Sequence, residues 1–424
     1  MVPITYLPLF VTVLFRGMPG MWKSRHRLML WWRVVMHALC PGRKTLEELA
    51  RWTPGSITVW RLRRVLKATY GDVPLRVACW VEEALQTLPP PQDGTLYLMG
   101  AGSVKAKRGT KNPLAQKGRK SEHQPWFLGM RFALLIVTWA IYRLPVALRL
   151  IRVKTQPEYQ TEKAWLREMG GGFIPPPWAT RVMVEGEAAY GSQEHRKTVM
   201  QRDADDPARR WGFVFAIART WKTVQDKAIK DLVTPLPRIY YQRVRVPRLP
   251  GTKGCQTFWV SSPRRCLRHS GDGTVSLSKG GRNRGPKRTK SLVTNLDEWI
   301  PRQGVSAYQR RWPLEQINRE LKTDLGLGEP QVSGEEGRIE KSFGMAIRAY
   351  WLLIRACHQE MLPGTSWSIA QRQHALRLRI STNQVAHNVK RRLTKARKAA
   401  SFLALDQSDV VLSLLCQRFA VPIL

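Results

Sequence analysis

Acidic residues are what this chain has too few of: 31 Asp and Glu stand against 70 Lys and Arg, leaving a formal net charge of +39. A balance so one-sided is far from that of a typical soluble enzyme. It predicts a polyanionic partner, bound with salt-sensitive affinity through counterion release. Nucleic acid leads, and an anionic membrane surface comes second. Paired cysteines are also missing. The six, Cys40, Cys79, Cys255, Cys266, Cys357 and Cys416, are scattered with no CxxC among them. That argues against a zinc site and against a secreted disulfide framework. Long apolar runs are absent too. The N-terminal "ITYLPLFVTVLF" lacks a basic leader and is too short to span a bilayer, so it reads as a buried or docking segment. A cytoplasmic, nucleoid-associated protein with no membrane partner follows.

What is present suffices for real cores. With 424 residues and 43% hydrophobic content, the chain has room for two or three domains. Its 17 tryptophans suit base stacking, although large aromatics mostly anchor cores. Residues 1–92 read as helical, with "PPP" at 89–91 marking a boundary. Within them, 45–70 has the outline of a helix-turn-helix: Thr45 capping a first helix, "TPGS" turning, and a second helix carrying Arg61 and Arg64. A helical hairpin with a solvated basic face is the alternative. From 95 onward strands are expected at 95–100, 126–140, 144–153, 180–186 and 211–219, with a helix over 157–169. Strands that meander and then alternate with helices point to a mixed α/β sheet. A β-rich stretch fills 221–290, "SLVTNL" gives one more strand, and 361–424 ends in a basic helical region.

One stretch, "YQRRWPLEQINRELK" at 308–322, places Glu315 among Arg310, Arg311, Arg319 and Lys322. A face built only to grip an anion gains nothing from a carboxylate at its centre. Tyr308, Arg311, Glu315 and Lys322 lie at offsets of three, seven and fourteen, which at roughly 100° per residue keeps them within about 60° of one helix face. Pro313 predicts a break, leaving Glu315 and Lys322 on the regular part. Glu315 either pairs with Arg311 or Arg319 on a solvated helix, or holds a stronger cation.

The spacing Tyr308-x2-Arg311-x3-Glu315-x6-Lys322 resembles the YREK signature of bacterial DDE transposases of the insertion-sequence-four family. The resemblance extends over about 40–360, with "KRGTKNP" after the first strand and a β-rich insertion before the glutamate. It implies a ribonuclease-H-like mixed-sheet core (93–220 and 291–360), the β-rich insertion, and a helical N-terminal DNA-binding domain. It further implies two-metal phosphoryl transfer with Mg2+ or Mn2+, double-stranded DNA ending in terminal inverted repeats as partner, and a homodimer that synapses two ends. Glu315 is then the third metal ligand, and Tyr308, Arg311 and Lys322 position phosphates.

Two positions depart from the family pattern. Where it has its first aspartate, in a "G-Asp-G-[ST]" context, this chain reads "MGAGSV", so the position is Ala101. Where it has its second, the chain reads "EGEAAYGS", placing Glu187 there. Glutamate keeps the charge at one methylene more reach, whereas alanine keeps no ligand. Glu187 and Glu315 are thus the surviving metal-ligand candidates. None of Asp93, Glu185, Asp203, Asp205 or Asp206 reads as a substitute: Glu185 is expected to point away from the neighbours of Glu187, and the three aspartates to fall past the next helix. A transposase of impaired cleavage is the outcome, or a catalytically silent DNA-binding relative acting as repressor, inhibitor or architectural protein. Lys105 and Arg108 border the expected cleft as phosphate contacts or as solvated loop charges. Trp259 lies where related transposases stack an aromatic on a flipped base, or it packs in a core. His123 and His195 read as hydrogen-bonded structural histidines.

Overall fold

The computed structural model describes residues 34, 38–40, 44–51, 58–60, 62–63, 81–82, 85–106, 112–118, 126–218, 220–222, 228–229, 231, 241–247, 254–261, 274–279, 289–329, 336–359, 368–379 and 393–394. Arg61, Arg64, Arg108, His123, most of the expected helix-turn-helix and most of the basic C-terminal region lie outside them. Inside them is the short helix α1 (Leu46–Arg51), where the Thr45 hydroxyl accepts from the Glu48 amide at 3.2 Å, as an N-cap does.

Ten strands form one sheet. They are β1 (Thr95–Ala106), β2 (Ala115–Gly118), β3 (Phe127–Trp139), β4 (Tyr142–Ile151), β5 (Arg181–Gly186), β6 (Arg210–Ile217), β7 (Tyr241–Pro247), β8 (Cys255–Ser261), β9 (Thr274–Lys279) and β10 (Thr289–Thr294). β4, β3 and β1 run antiparallel in that order, and β5 and β6 follow parallel to β1. Parallel neighbours need a crossover, supplied by α2 (Glu162–Gly171) before β5 and α3 (Gln193–Asp205) before β6. Three antiparallel strands followed by two parallel ones, with helices on the crossovers, is the ribonuclease-H-like order expected from the sequence. β10 continues the sheet antiparallel to β6, and β9, β8 and β7 continue beyond it. The β-rich stretch therefore prolongs the same hydrogen-bonded sheet.

Local sequence explains the placement. β3 is central, and its long apolar run is buried on both faces. Thr161 and Ser192 cap α2 and α3, accepting from the amides of Ala164 and His195. The segment after β10 forms α4 (Pro301–Gln309) and α5 (Trp312–Thr323), divided at Arg310–Arg311 because Pro313 belongs in a first helical turn rather than a helix interior. α6 (Glu336–Gln359) buries its apolar second half against β4 and α5, and the Trp351 indole donates to the Pro145 carbonyl at 2.7 Å.

Some expectations need correction. β1 runs to Ala106, so Ala101 and Lys105 lie inside the strand rather than after it. Asp203 and Asp205 belong to the last turn of α3 instead of falling past it. β2 escaped the sequence because "AQKG" carries no apolar alternation, and β7 because the alternation in "YQRVRVP" is confined to Val244 and Val246 among arginines.

A second junction ties distant segments together. The loop after α5 has Gly326 and Gly328 at φ of 59° and 71°, and a Cβ on Gly326 would stand 2.5 Å from Cγ of Lys44. Lys44 is fully buried there; its amide donates to Glu329 at 2.7 Å and its ammonium to the Cys40 carbonyl. Gln373, on a helical run at 369–379, donates to the Ala38 carbonyl at 2.8 Å.

Candidate functional site

β1 presents alternate residues to two different helices. Gly100 and Gly102 face α2: a Cβ on Gly100 would come 2.8 Å from Leu166, and one on Gly102 would coincide with the Glu162 carboxyl, 1.6 Å from its Cδ. Tyr190 completes that side, accepting from the Gly102 amide at 2.8 Å and donating to Glu162. Ala101, Ser103 and Lys105 face the other way, toward α5. The Ser103 hydroxyl accepts from Asn318 at 2.7 Å and from the Lys322 ammonium. Lys105 donates to the Lys322 carbonyl at 3.3 Å, a cation at the negative end of a helix. Burial lowers the Lys105 pKa, with Glu329 pulling it partly back.

Ala101 sits two residues beyond Met99, the last position of β1 paired with β5, and Glu187 two beyond its partner Glu185. Ala101 is thus on the part of β1 that runs past its pairing with β5, and Glu187 is the first residue after β5 ends at Gly186. Glu315 lies on α5, one turn before Asn318, which bonds Ser103. Arg311 links positions 187 and 315, and Ala101 lies two residues before Ser103, which is bonded to α5.

Arg311 lies between Glu187 and Glu315. One end of its guanidinium meets Glu187 at 2.9 Å and the other meets Glu315 at 2.8 Å. The arginine side chain is 13% exposed, while those of Glu187 and Glu315 are 53% and 50% exposed. Burial opposes its charge, but Glu187, Tyr308 and Glu315 outweigh it and hold its pKa above the ordinary value. Beneath is Glu185, 1% exposed, with neither carboxylate oxygen hydrogen-bonded. Burial drives its pKa well above the ordinary carboxylate value, and Arg310 and Arg311 pull it partly back. The expectation that Glu185 points away from the surroundings of Glu187 is thereby corrected: both feel Arg311, because strand side chains repeat every two residues. An acid inside the apolar run "RVMVEG" was the signal for it.

The other candidates are arranged around this group. The Tyr308 ring has Lys290 at 5.0 Å and Arg311 at 5.9 Å, and Arg310 stands over Tyr97 at 4.4 Å. Lys322 lies 5.4 Å from the Phe132 ring. Trp259 is half-buried against the main core on β8, paired with Arg243 on one side and Lys279 on the other. His195 is partly buried, its pKa pushed down to about 4 by desolvation, with Nδ1 3.0 Å from the Tyr190 carbonyl.

Two divalent cations, as the resemblance implies, need oxygen ligands converging from 101, 187 and 315. The residues present do not fit that requirement. Ala101 offers no oxygen, and the oxygens of Glu187 and Glu315 that face inward are bonded to a guanidinium. Among the described residues, no group of three or more His, Cys, Asp and Glu is disposed to hold a metal ion. No described helix is long and apolar enough to cross a membrane.

No protein-family model matches the chain, and no curated protein matches it. Among solved structures it is similar to a piggyBac transposase, seen by cryo-EM in a synaptic complex with hairpin DNA. The TM-score is 0.49 at 9% sequence identity, over 84% of this chain and 71% of that one.

Proposed function

We propose that the protein binds double-stranded DNA on a DDE-transposase-like scaffold and has lost the metal-dependent cutting and joining of DNA ends. The bridge from Arg311 to Glu187 and Glu315, beside an alanine at position 101, carries this reading. The Arg311 guanidinium offsets one of the two carboxylate charges, and Arg310, Arg319, Lys322 and Lys105 leave the surrounding face positive on balance. Such a face attracts phosphate without needing a metal to do so. Tyr308 and Lys322 would meet the DNA backbone while Arg311 stays with its two carboxylates, and a pair of chains would bring two terminal inverted repeats together. The biological role is that of a repressor, an inhibitor of an active relative, or an architectural protein.

The test uses a labelled terminal-repeat duplex with Mg2+ or Mn2+, the unaltered chain, and the double variant Ala101→Asp, Glu187→Asp. Binding without nicking by the unaltered chain, and nicking by the double variant, is the expected result. Nicking by the unaltered chain would overturn the loss of cutting. Failure of either protein to bind would overturn the DNA-binding assignment itself.

A further inference from the structure

Glu187 and Glu315 are half-exposed acids, and such pairs normally repel or attract a counterion from solvent. Here the counterion is built in. Arg311 is nearly buried and reaches both with separate nitrogens, in the planar fork geometry that arginine alone provides. Directly below, the buried Glu185 has no hydrogen-bond partner on either oxygen. Glu185 closes the pocket from the strand side.

We infer that Arg311 is the resident cation of an acidic pocket formed by Glu185, Glu187 and Glu315, and that it excludes divalent metal by occupying the metal's place. Glu187 and Glu315 are the two carboxylates a hard cation would take, with water filling its remaining positions. Glu185 lines the buried side of the pocket and contributes no ligand oxygen. The glutamate at 187 reaches the guanidinium at 2.9 Å. The inference rests on taking 101, 187 and 315 as one ligand set, but not on DNA binding.

The experiment is a Mn2+ titration of the full chain without DNA, followed by electron paramagnetic resonance and thermal unfolding. The unaltered chain shows no saturable site and the same unfolding midpoint in Mn2+ as in EDTA. Arg311→Gln gains a site with affinity at least about tenfold higher, and Mn2+ raises its midpoint accordingly. Adding Glu187→Gln or Glu315→Gln abolishes that site. Saturable Mn2+ binding by the unaltered chain that Glu187→Gln removes would overturn the inference, as would folded Arg311→Gln that gains nothing. Should Arg311→Gln not fold, 15N-arginine spectra of the unaltered chain decide. Slowly rotating, sharp Nη resonances for Arg311, lost in Glu187→Asp and Glu315→Gln, support the bridge; their absence from the unaltered chain sinks it. A Mn2+ site appearing in a chain that fails to bind DNA would refute the proposed function and leave this inference standing.

Discussion

Gly102 has a carboxylate standing where its side chain would be. Substituting Ala there forces Glu162 aside and breaks its bond with Tyr190. Overpacking of this kind costs about 1–3 kcal/mol, which urea unfolding would register. Adding Glu162→Ala removes the clash, and the double variant should recover part of the loss, a coupling that a double-mutant cycle measures. Lys44 offers a second single-residue prediction, through pH. Burial pushes its pKa down from 10.5 to about 8, so across that interval the unfolded chain binds more protons than the folded one. Stability should therefore rise as pH climbs from about 8, whereas below it the burial cost is fully present. Cys40, pushed up by burial from 9.0 to about 12, works in the opposite sense above pH 9, which leaves pH 8 to 9 as the clean window. Denaturant titrations across that window should show the rise in the unaltered chain and its disappearance in Lys44→Met.

Between elements, the buried Glu320 of α5 is the main polar tie. It meets Arg143 of β4 at 2.9 Å, the Tyr350 hydroxyl of α6 at 3.3 Å and the Ile369 amide at 3.4 Å. Removing Arg143 would strand a buried charge at a cost of about 3–5 kcal/mol, whereas Arg143→Met with Glu320→Met should restore most of it. Comparing urea midpoints of the single and double variants checks this. α5 also shows how far sequence reasoning reaches. Its start was legible because proline dictates where a helix begins, and the strands β3, β5 and β6 were legible as apolar runs. The Glu187–Arg311–Glu315 bridge was half legible: an i, i+4 pair between Arg311 and Glu315 follows from helix periodicity. Its other half depends on how the junction of α4 and α5 docks against the end of β5, which no local pattern encodes. Glu162 over Gly102 escaped for the same reason, since the contact spans a crossover. Trp259 read as a packing residue ahead of a base-stacking one, and its half-buried position lies against the core.

For the molecule entire, the +39 charge sets the terms of association. DNA affinity should fall steeply with salt, and log affinity against log salt should have a slope of about −0.9 per phosphate neutralised. Lys105→Ala and Lys322→Ala should each flatten that slope by about one unit without altering preference among duplexes of different sequence, as filter-binding or fluorescence titrations would reveal. A last consequence concerns biosynthesis. The amide of Lys44 is satisfied by a glutamate 285 positions later, and the carbonyl of Ala38 by a glutamine 335 positions later. At ribosomal speeds of about 5–20 residues per second, the first of those partners emerges roughly 15–60 s after the lysine. Throughout that wait Ala38 and Lys44 lack those partners, so the stretch that carries them is among the last of the described parts to lock.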